Sequence, residues 1–290
     1  ADYTHDTVDS HLRQYGADGR LQKTAVQGPV ADDATYDLAG AFVQDTVTCF
    51  DGGLDLVPAL RHNWAAADAD KVLDPASGDA YSFTQDWQDT VGSLRVLVPL
   101  TRDRQYVAFA GISEAFRAPN LSDLTRFDIA RSTELEVPST DLDPEHFLTY
   151  EIGLKARSER FAAQLAYYYT VIDGMIIRTP TGETINDLQV VTKQNSGDGY
   201  VHGVEWTGQY DIAPEWLTWL NASWQYGEVD SYPSSDATEM QRDYLSRLMP
   251  PTAQVGLRWH RLKNKYWAEV LADFATDADL AMLRQEPLRA

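Results

Sequence analysis

Apolar and polar positions alternate along most of the chain. Tyr150, Ile152, Leu154 and Ala156 alternate with Glu151, Gly153, Lys155 and Arg157. A few residues on, Phe161, Ala163, Leu165, Tyr167, Tyr169 and Val171 alternate with Ala162, Gln164, Ala166, Tyr168 and Thr170. Successive strand side chains point to opposite faces, so each run predicts a strand with one apolar face and one polar or small face. The link Arg157-Ser158-Glu159-Arg160 is short enough to make the two runs antiparallel neighbours. The unit recurs. Val204, Trp206 and Tyr210 alternate with Gly203, Glu205, Thr207 and Gln209 before the turn Asp211-Ile212-Ala213-Pro214-Glu215. Leu220, Ala222, Trp224 and Tyr226 then interleave with Asn221, Ser223, Gln225 and Gly227. Later Ala253, Val255, Leu257 and Trp259 alternate with Gln254, Gly256, Arg258 and His260, and a basic turn at 261–265 leads into Tyr266, Ala268, Val270 and Ala272. The pattern predicts eleven strands, starting near Asp6, Thr35, Leu56, Val91, Tyr106, Phe147, Phe161, Tyr200, Leu217, Ala253 and Tyr266.

The connections alternate between tight and wide. Tight links include Cys49-Phe50-Asp51-Gly52-Gly53 and Thr101-Arg102-Asp103-Arg104. Between hairpins the segments 14–33, 67–87, 117–146, 178–198 and 229–250 are rich in Asp, Ser, Thr, Pro and Gly and read as long surface loops. Alternation alone also fits a soluble sandwich or propeller. Short turns at one end and long loops at the other are the habit of outer-membrane barrels. Phe161, Tyr210, Trp216, Tyr266 and Trp267 flank the tight turns, where an interfacial aromatic girdle belongs. The expected fold is therefore all-β, an antiparallel transmembrane β-barrel. In that barrel Ile152, Leu154, Leu165, Tyr167, Val204, Trp206, Ala222, Trp224, Val255 and Leu257 face lipid. Glu151, Lys155, Gln164, Glu205, Asn221 and Arg258 face the lumen. A register slip of one residue inverts every one of these assignments.

Composition narrows the classes. The 290 residues are 43% hydrophobic and 11% aromatic, which is enough to fold. No apolar run approaches the roughly 20 residues of a helical membrane span. The formal net charge of −20 leaves no basic stripe for phosphates, so nucleic acid is not an expected partner. Acid at 68–74 and 141–145 reads first as solvation of loops. The single Cys49 excludes an internal disulfide and a cysteine-based zinc framework. The N-terminal Ala1-Asp2-Tyr3-Thr4-His5 lacks the basic and apolar regions of a signal peptide. Bacterial single-chain barrels have even strand numbers, so an odd count leads us to expect an internal piece of a larger barrel.

Five short motifs follow in order: Phe116-Arg117-Ala118-Pro119-Asn120-Leu121, Asp143-Pro144-Glu145, Tyr150-Glu151-Ile152-Gly153-Leu154-Lys155, Asn195, and Gly203-Val204-Glu205. Tyr167, Tyr169, Asp173 and Ile176 fit the hairpin between them, and Arg247 with Pro250 fits the approach to a later strand. Over about 38–259 this order resembles the barrel of TonB-dependent outer-membrane receptors. The resemblance implies a 22-stranded barrel closed by an N-terminal plug, in the outer membrane of a Gram-negative-type bacterium. It also implies TonB-powered uptake of a scarce ligand such as a ferric siderophore, haem or cobalamin. The chain departs from that pattern: it shows no plug, no TonB-contacting box, too few strands, and Ala290 where the family ends on an aromatic. The expectation is that 1–290 form one partial barrel of about 10–12 strands from the middle and late parts of the parent, with the plug absent. Implied partners are outer-membrane lipid, the TonB complex through the plug, and a small-molecule ligand, a ferric chelate by analogy.

Candidate ligand contacts are the loops 117–146, 178–198 and 229–250 and the lumen-facing charges Glu151, Lys155, Glu205 and Arg258. Paired carboxylates also do acid–base work in glycosidases. A soluble acidic β-rich carbohydrate-active enzyme is therefore one alternative, and a passive outer-membrane porin is the other. Within a barrel the lumenal charges are better read as networks, because polar groups avoid lipid. Arg117 and Pro119 read first as a strand end, since proline cannot donate to a ladder. The histidines His5, His11, His62, His146, His202 and His260 lack zinc-site spacing, and no GxSxG elbow or glycine-rich phosphate loop is present. No catalytic residue, metal site or cofactor is expected. The stretch 120–144 contains no histidine and offers Arg126, Asp128, Arg131, Glu134 and Glu136, which disfavours axial haem capture there and favours a polar chelate.

Overall fold

The computed structural model describes residues 1–129, 134–261 and 265–276. Eleven strands form one continuous sheet: β1 (Asp2–Val8), β2 (Asp32–Gln44), β3 (Leu54–Leu73), β4 (Ala80–Pro99), β5 (Tyr106–Arg117), β6 (Glu145–Arg157), β7 (Phe161–Ile185), β8 (Leu188–Ala213), β9 (Trp216–Ser231), β10 (Thr252–Arg261) and β11 (Tyr266–Ala275). Each pairs antiparallel with its neighbours in chain order. Among the described residues no ladder joins β1 to β11, so the sheet is an open, partial barrel. Each of the eleven strands overlaps a run that the alternation marks, but β4 and β8 begin at Ala80 and Leu188, well before the expected starts near Val91 and Tyr200.

Two of the expected loops are corrected. Segment 178–198 is almost entirely paired, because β7 and β8 run on past the other strands to a two-residue turn at Asn186-Asp187. Both turn residues have positive φ, 50° and 63°, the left-handed pair that a tight hairpin requires. Segment 67–87 likewise belongs mostly to β3 and β4, and only 74–79 turns. In 14–33 a small hairpin pairs Arg13–Tyr15 with Leu21–Thr24. Among the described residues, 117–146 holds a five-residue helix and short strands at Asp128–Ile129 and Glu134–Glu136, and in 229–250 the strand Gln241–Tyr244 pairs with β9; the remainder is irregular.

The register bears out the face assignment. Ile152 lies opposite Tyr167, which lies opposite Val204, which lies opposite Trp224. Lys155, Gln164, Thr207, Asn221 and Gln254 form a matching row on the other face. Glu205 and Leu257 stand on opposite sides. The outward row ends in aromatics twice: at Phe161 and Tyr210 by the tight turns, and near the loops at Tyr169 and Tyr200, whose rings stack at 5.5 Å. Ten residues separate Tyr210 from Tyr200, about 33 Å of strand and about 25 Å of height at a tilt near 40°. That is the height of a barrel's lipid-facing band.

The buried core lies on the lumen face near the loop ends. Between β5 and β6 the described residues 118–129 and 134–144 lie across the concavity. On the far side Leu121, Leu124 and Leu142 pack with Ala31, Ala34, Ala65, Ala67, Ala69, Val72 and Trp87. The short side chains of β2 and β3 make a flat floor on which the leucines rest. We call this segment the crossbar.

Candidate functional site

Local sequence shapes the crossbar. At its start Asn120 caps the helix α1 (Leu121–Thr125): its Oδ1 accepts from the Asp123 amide at 2.9 Å, and the Asp123 carboxylate accepts from the Asn120 amide at 3.2 Å. This reciprocal pair satisfies amides that a helix start leaves unpaired. Thr125 then ties the helix to the 27–31 segment. Its Oγ1 accepts from the Ala31 amide at 2.9 Å, and its carbonyl accepts from Gln27 Nε2 at 2.8 Å. On the way back, Trp87 Nε1 donates to the Leu142 carbonyl at 3.0 Å.

At the crossbar's roots and along the tall β7–β8 hairpin, contacts are ionic. Arg117 Nε meets Glu145 Oε2 at 2.5 Å and its Nη1 meets Asp123 Oδ2 at 2.7 Å. Glu145 Oε1 accepts from the Ile176 amide at 2.7 Å. Lys193 Nζ lies 2.9 Å from Asp123 and 3.6 Å from Glu136. Arg178 reaches both Glu134 and Glu136 at 3.0 Å, and Arg126 Nε lies 3.7 Å from Glu136. Asn195 stitches the return stem, with Nδ2 donating to the Asp143 carbonyl at 2.7 Å and to the Gly174 carbonyl at 2.9 Å while its Oδ1 accepts from the Asp143 amide. Burial pushes the Asp123 carboxyl up, but Lys193 and Arg117 outweigh it and hold Asp123 below its usual range.

The three candidate loop regions meet here. Glu134 of the crossbar, Arg178, Pro180 and Val191 of the hairpin, and Tyr232 to Ser235 of the 229–250 segment close around a cavity of about 10 Å³, about enough for a single water. The four lumenal charges do not converge. Glu151 pairs with Arg95 at 2.8 Å, and Lys155 sits over the Phe109 ring at 5.2 Å. Arg258 binds Glu269 at 2.9 Å, which also accepts from Trp219 Nε1 at 2.8 Å. Glu205 makes no ion pair among the described residues and lies in an open polar patch with Gln164, Thr207, Asn221, Ser223 and Gln254. Of the charges that the 120–144 stretch offers a ligand, Arg126, Glu134 and Glu136 are engaged with one another or with the hairpin. Arg131 lies outside the described residues.

Sequence reasoning missed Asp123, Arg178 and Lys193. The Asn120-x-x-Asp123 spacing is a legible capping signal. Nothing local marks Arg178 and Lys193, whose roles depend on long-range register.

No curated protein matches the chain. Solved structures that it resembles include the Serratia marcescens hemophore receptor HasR in complex with its hemophore HasA and heme, at 17% identity and a TM-score of 0.66 over 94% of this chain and 51% of that one. The copper transporter OprC is 18% identical, with a TM-score of 0.64 over 91% of this chain and 39% of that one. The siderophore receptor PiuA from Acinetobacter baumannii is 13% identical, with a TM-score of 0.60 over 93% of this chain and 43% of that one. The chain thus spans about half the length of these structures or less, and at such identities they speak for the fold alone. The family model for the TonB dependent receptor-like β-barrel matches residues 1–282, so the chain belongs to that family.

Proposed function

We propose that the chain is barrel wall of an outer-membrane receptor in a Gram-negative bacterium. It takes up a scarce ligand, a ferric siderophore or similar metal chelate, with energy from TonB passed through a plug elsewhere in the protein. In this reading residues 1–290 belong to a 22-stranded barrel. The carrying observation is the division of the sheet into a continuous apolar outer face and a lumen face of hydrogen-bonding groups, with a folded segment across its loop end. Ligand contacts are proposed for the polar patch around Glu205 and for the exposed parts of 117–146, 178–198 and 229–250. The paired-carboxylate arrangement of a glycosidase finds no support, since Arg95 holds Glu151 and Glu205 lies two strands away.

Uptake by cells tests the reading. A strain lacking the full-length receptor should lose energy-dependent accumulation of iron-55 supplied as at least one ferric hydroxamate or catecholate. Re-expression should restore it only when TonB is intact. Cobalt-57 cobalamin and iron-55 haemin serve as parallel probes. Uptake that persists without TonB points to a passive pore, and loss confined to haemin or cobalamin overturns the chelate assignment.

A further inference from the structure

Strands β4 and β5 fork at Ser93. Their ladder runs from the Pro99–Val107 pair to the Ser93–Ser113 pair and stops there, although β4 extends back to Ala80 and β5 on to Arg117. Beyond the fork β5 pairs only with β6, and β4 only with β3. The Leu100 amide donates to the Tyr106 carbonyl at 2.7 Å and the Gly92 amide to Glu114 Oε2 at 3.0 Å. Even-numbered residues of β4 therefore turn their backbone groups toward β5, and odd-numbered ones toward β3. Thr84, Asp86 and Gln88 keep that orientation past the fork. Among the described residues no hydrogen bond meets their amides and carbonyls on that side. A cavity of about 720 Å³ opens at the fork, between Asp89 and Thr90 on β4 and Glu114, Ala115 and His146 on β5 and β6.

Further strands beyond β1 and β11 leave this edge as it is, because both wall neighbours of β4 are already in place. It also lies past the lipid. Across the fork the outward side chains of β4 change from Val98, Val96 and Leu94 to Thr90, Gln88, Asp86 and Thr84. An edge in the aqueous layer bonds to water, which an arriving strand replaces. Exposed edges are commonly guarded by Lys, Pro or a bulge. Between Ala80 and Gly92 there is neither Lys nor Pro, and the register with β3 is unbroken from Phe83 to Leu97. The surroundings select by charge instead. Asp68, Asp86 and Glu114 stand on the outward side of the fork, while Lys71 is held by Asp32 and Asp33, and His146 by Asp89. Complementarity therefore calls for a basic strand. A second receptor does not supply it. Two barrels upright in one membrane are related by an axis along its normal, so strands tilted about 40° cross instead of aligning.

We propose that the loop-end edge of β4 is a docking edge, to which a protein partner outside the cell adds an extended, basic segment as a strand. Its facing outside rests on the outer-membrane reading above; the edge itself does not. The probe is a decapeptide of alternating Thr and Lys. Added in excess to purified full-length receptor, it should slow exchange of the Thr84, Asp86 and Gln88 amides at least about tenfold. Counterparts with Glu in place of Lys, or with every amide N-methylated, should slow it less than about twofold. No slowing by the basic peptide, or equal slowing by the N-methylated one, overturns the docking edge. Equal slowing by the acidic one overturns the basic partner. Gln88→Pro removes an amide that β3 does not use, so it should weaken peptide binding at least about tenfold while Gln88→Ala stays within about twofold. Equal binding by the two variants also overturns the edge, and the N-methylated peptide on the native receptor decides the matter if the proline variant misfolds. On intact cells the fluorescent basic peptide should label a strain carrying the receptor more strongly than one lacking it. Binding to purified receptor without such labelling overturns the outward placement and leaves the edge standing.

Discussion

Three glycines on the lumen face lie beneath aromatic rings from the neighbouring strand. Phe109 is the cross-strand partner of Gly153, Tyr168 of Gly203 and Trp219 of Gly256. A Cβ on Gly153 would run into the Phe109 ring and come within 2.5 Å of the Leu165 carbonyl oxygen, so the ring settles only because the side chain is missing. This explains the glycines in Tyr-Glu-Ile-Gly-Leu-Lys and Gly-Val-Glu, which the sequence displays without a reason. Each ring lies 35 to 44 residues away in the chain, and only the register brings it into place. Gly153→Val should destabilise the full-length barrel by about 1–3 kcal/mol, the usual cost of overpacking. Adding Phe109→Ala should recover much of that loss, because contacting residues couple. Urea unfolding of the two variants in vesicles checks both; an unchanged midpoint for Gly153→Val would refute the close approach. The other motif residues are explained in the same way. Arg117 holds Glu145, Asn120 holds Asp123, and Asn195 holds Asp143, so the ordered motifs are largely the bolts of one crossbar.

At the scale of elements, period-two alternation located all eleven strands, because lipid on one side and a polar lumen on the other enforce it. It failed where lipid no longer distinguishes one face from the other. Past the lipid-facing band, β7 carries Pro180 and Gly182, which break the alternation and read as loop, yet the ladder with β8 absorbs them in an irregularity between Pro180 and Thr184. The Asn186-Asp187 pair between Ile185 and Leu188 was the legible hairpin signal. Helix α1 was missed because five residues are too few for a helical period, although the Asn120 and Asp123 caps are visible. The alternation also sets what substitutions do. Leu154→Arg places a charge on the lipid face and should cost about 2–4 kcal/mol in vesicle refolding near mid-bilayer. Lys155→Gln, one residue on and facing the lumen, should stay within about 0.5 kcal/mol apart from its loss of the Phe109 contact. Equal penalties for the two would mean that the register is wrong.

At the scale of the molecule, the crossbar is a chord across an arc. It joins the β2–β4 wall to the β7–β8 wall and so holds the curvature of a sheet whose ends do not meet. The sequence contained the chord's residues but not its path, since a thirty-residue connection rich in charge reads as solvated loop. The ends pose a separate problem. The outer edges of β1 and β11 each present a row of unpaired amides and carbonyls among the described residues. In hydrocarbon every such group costs several kcal/mol, so only a closed ladder spans a membrane. The sheet accordingly requires further strands at both edges, which the proposed parent barrel supplies. Expressed by itself, the 290-residue chain should bury those edges the other available way, by pairing with copies of itself. Refolded into lipid vesicles, it should give heterogeneous oligomers or sedimenting aggregate, and its β1 amides should exchange faster than those of β7. A monodisperse inserted monomer with protected β1 and β11 amides would show instead that the arc closes on itself, and the requirement for a larger barrel would fall.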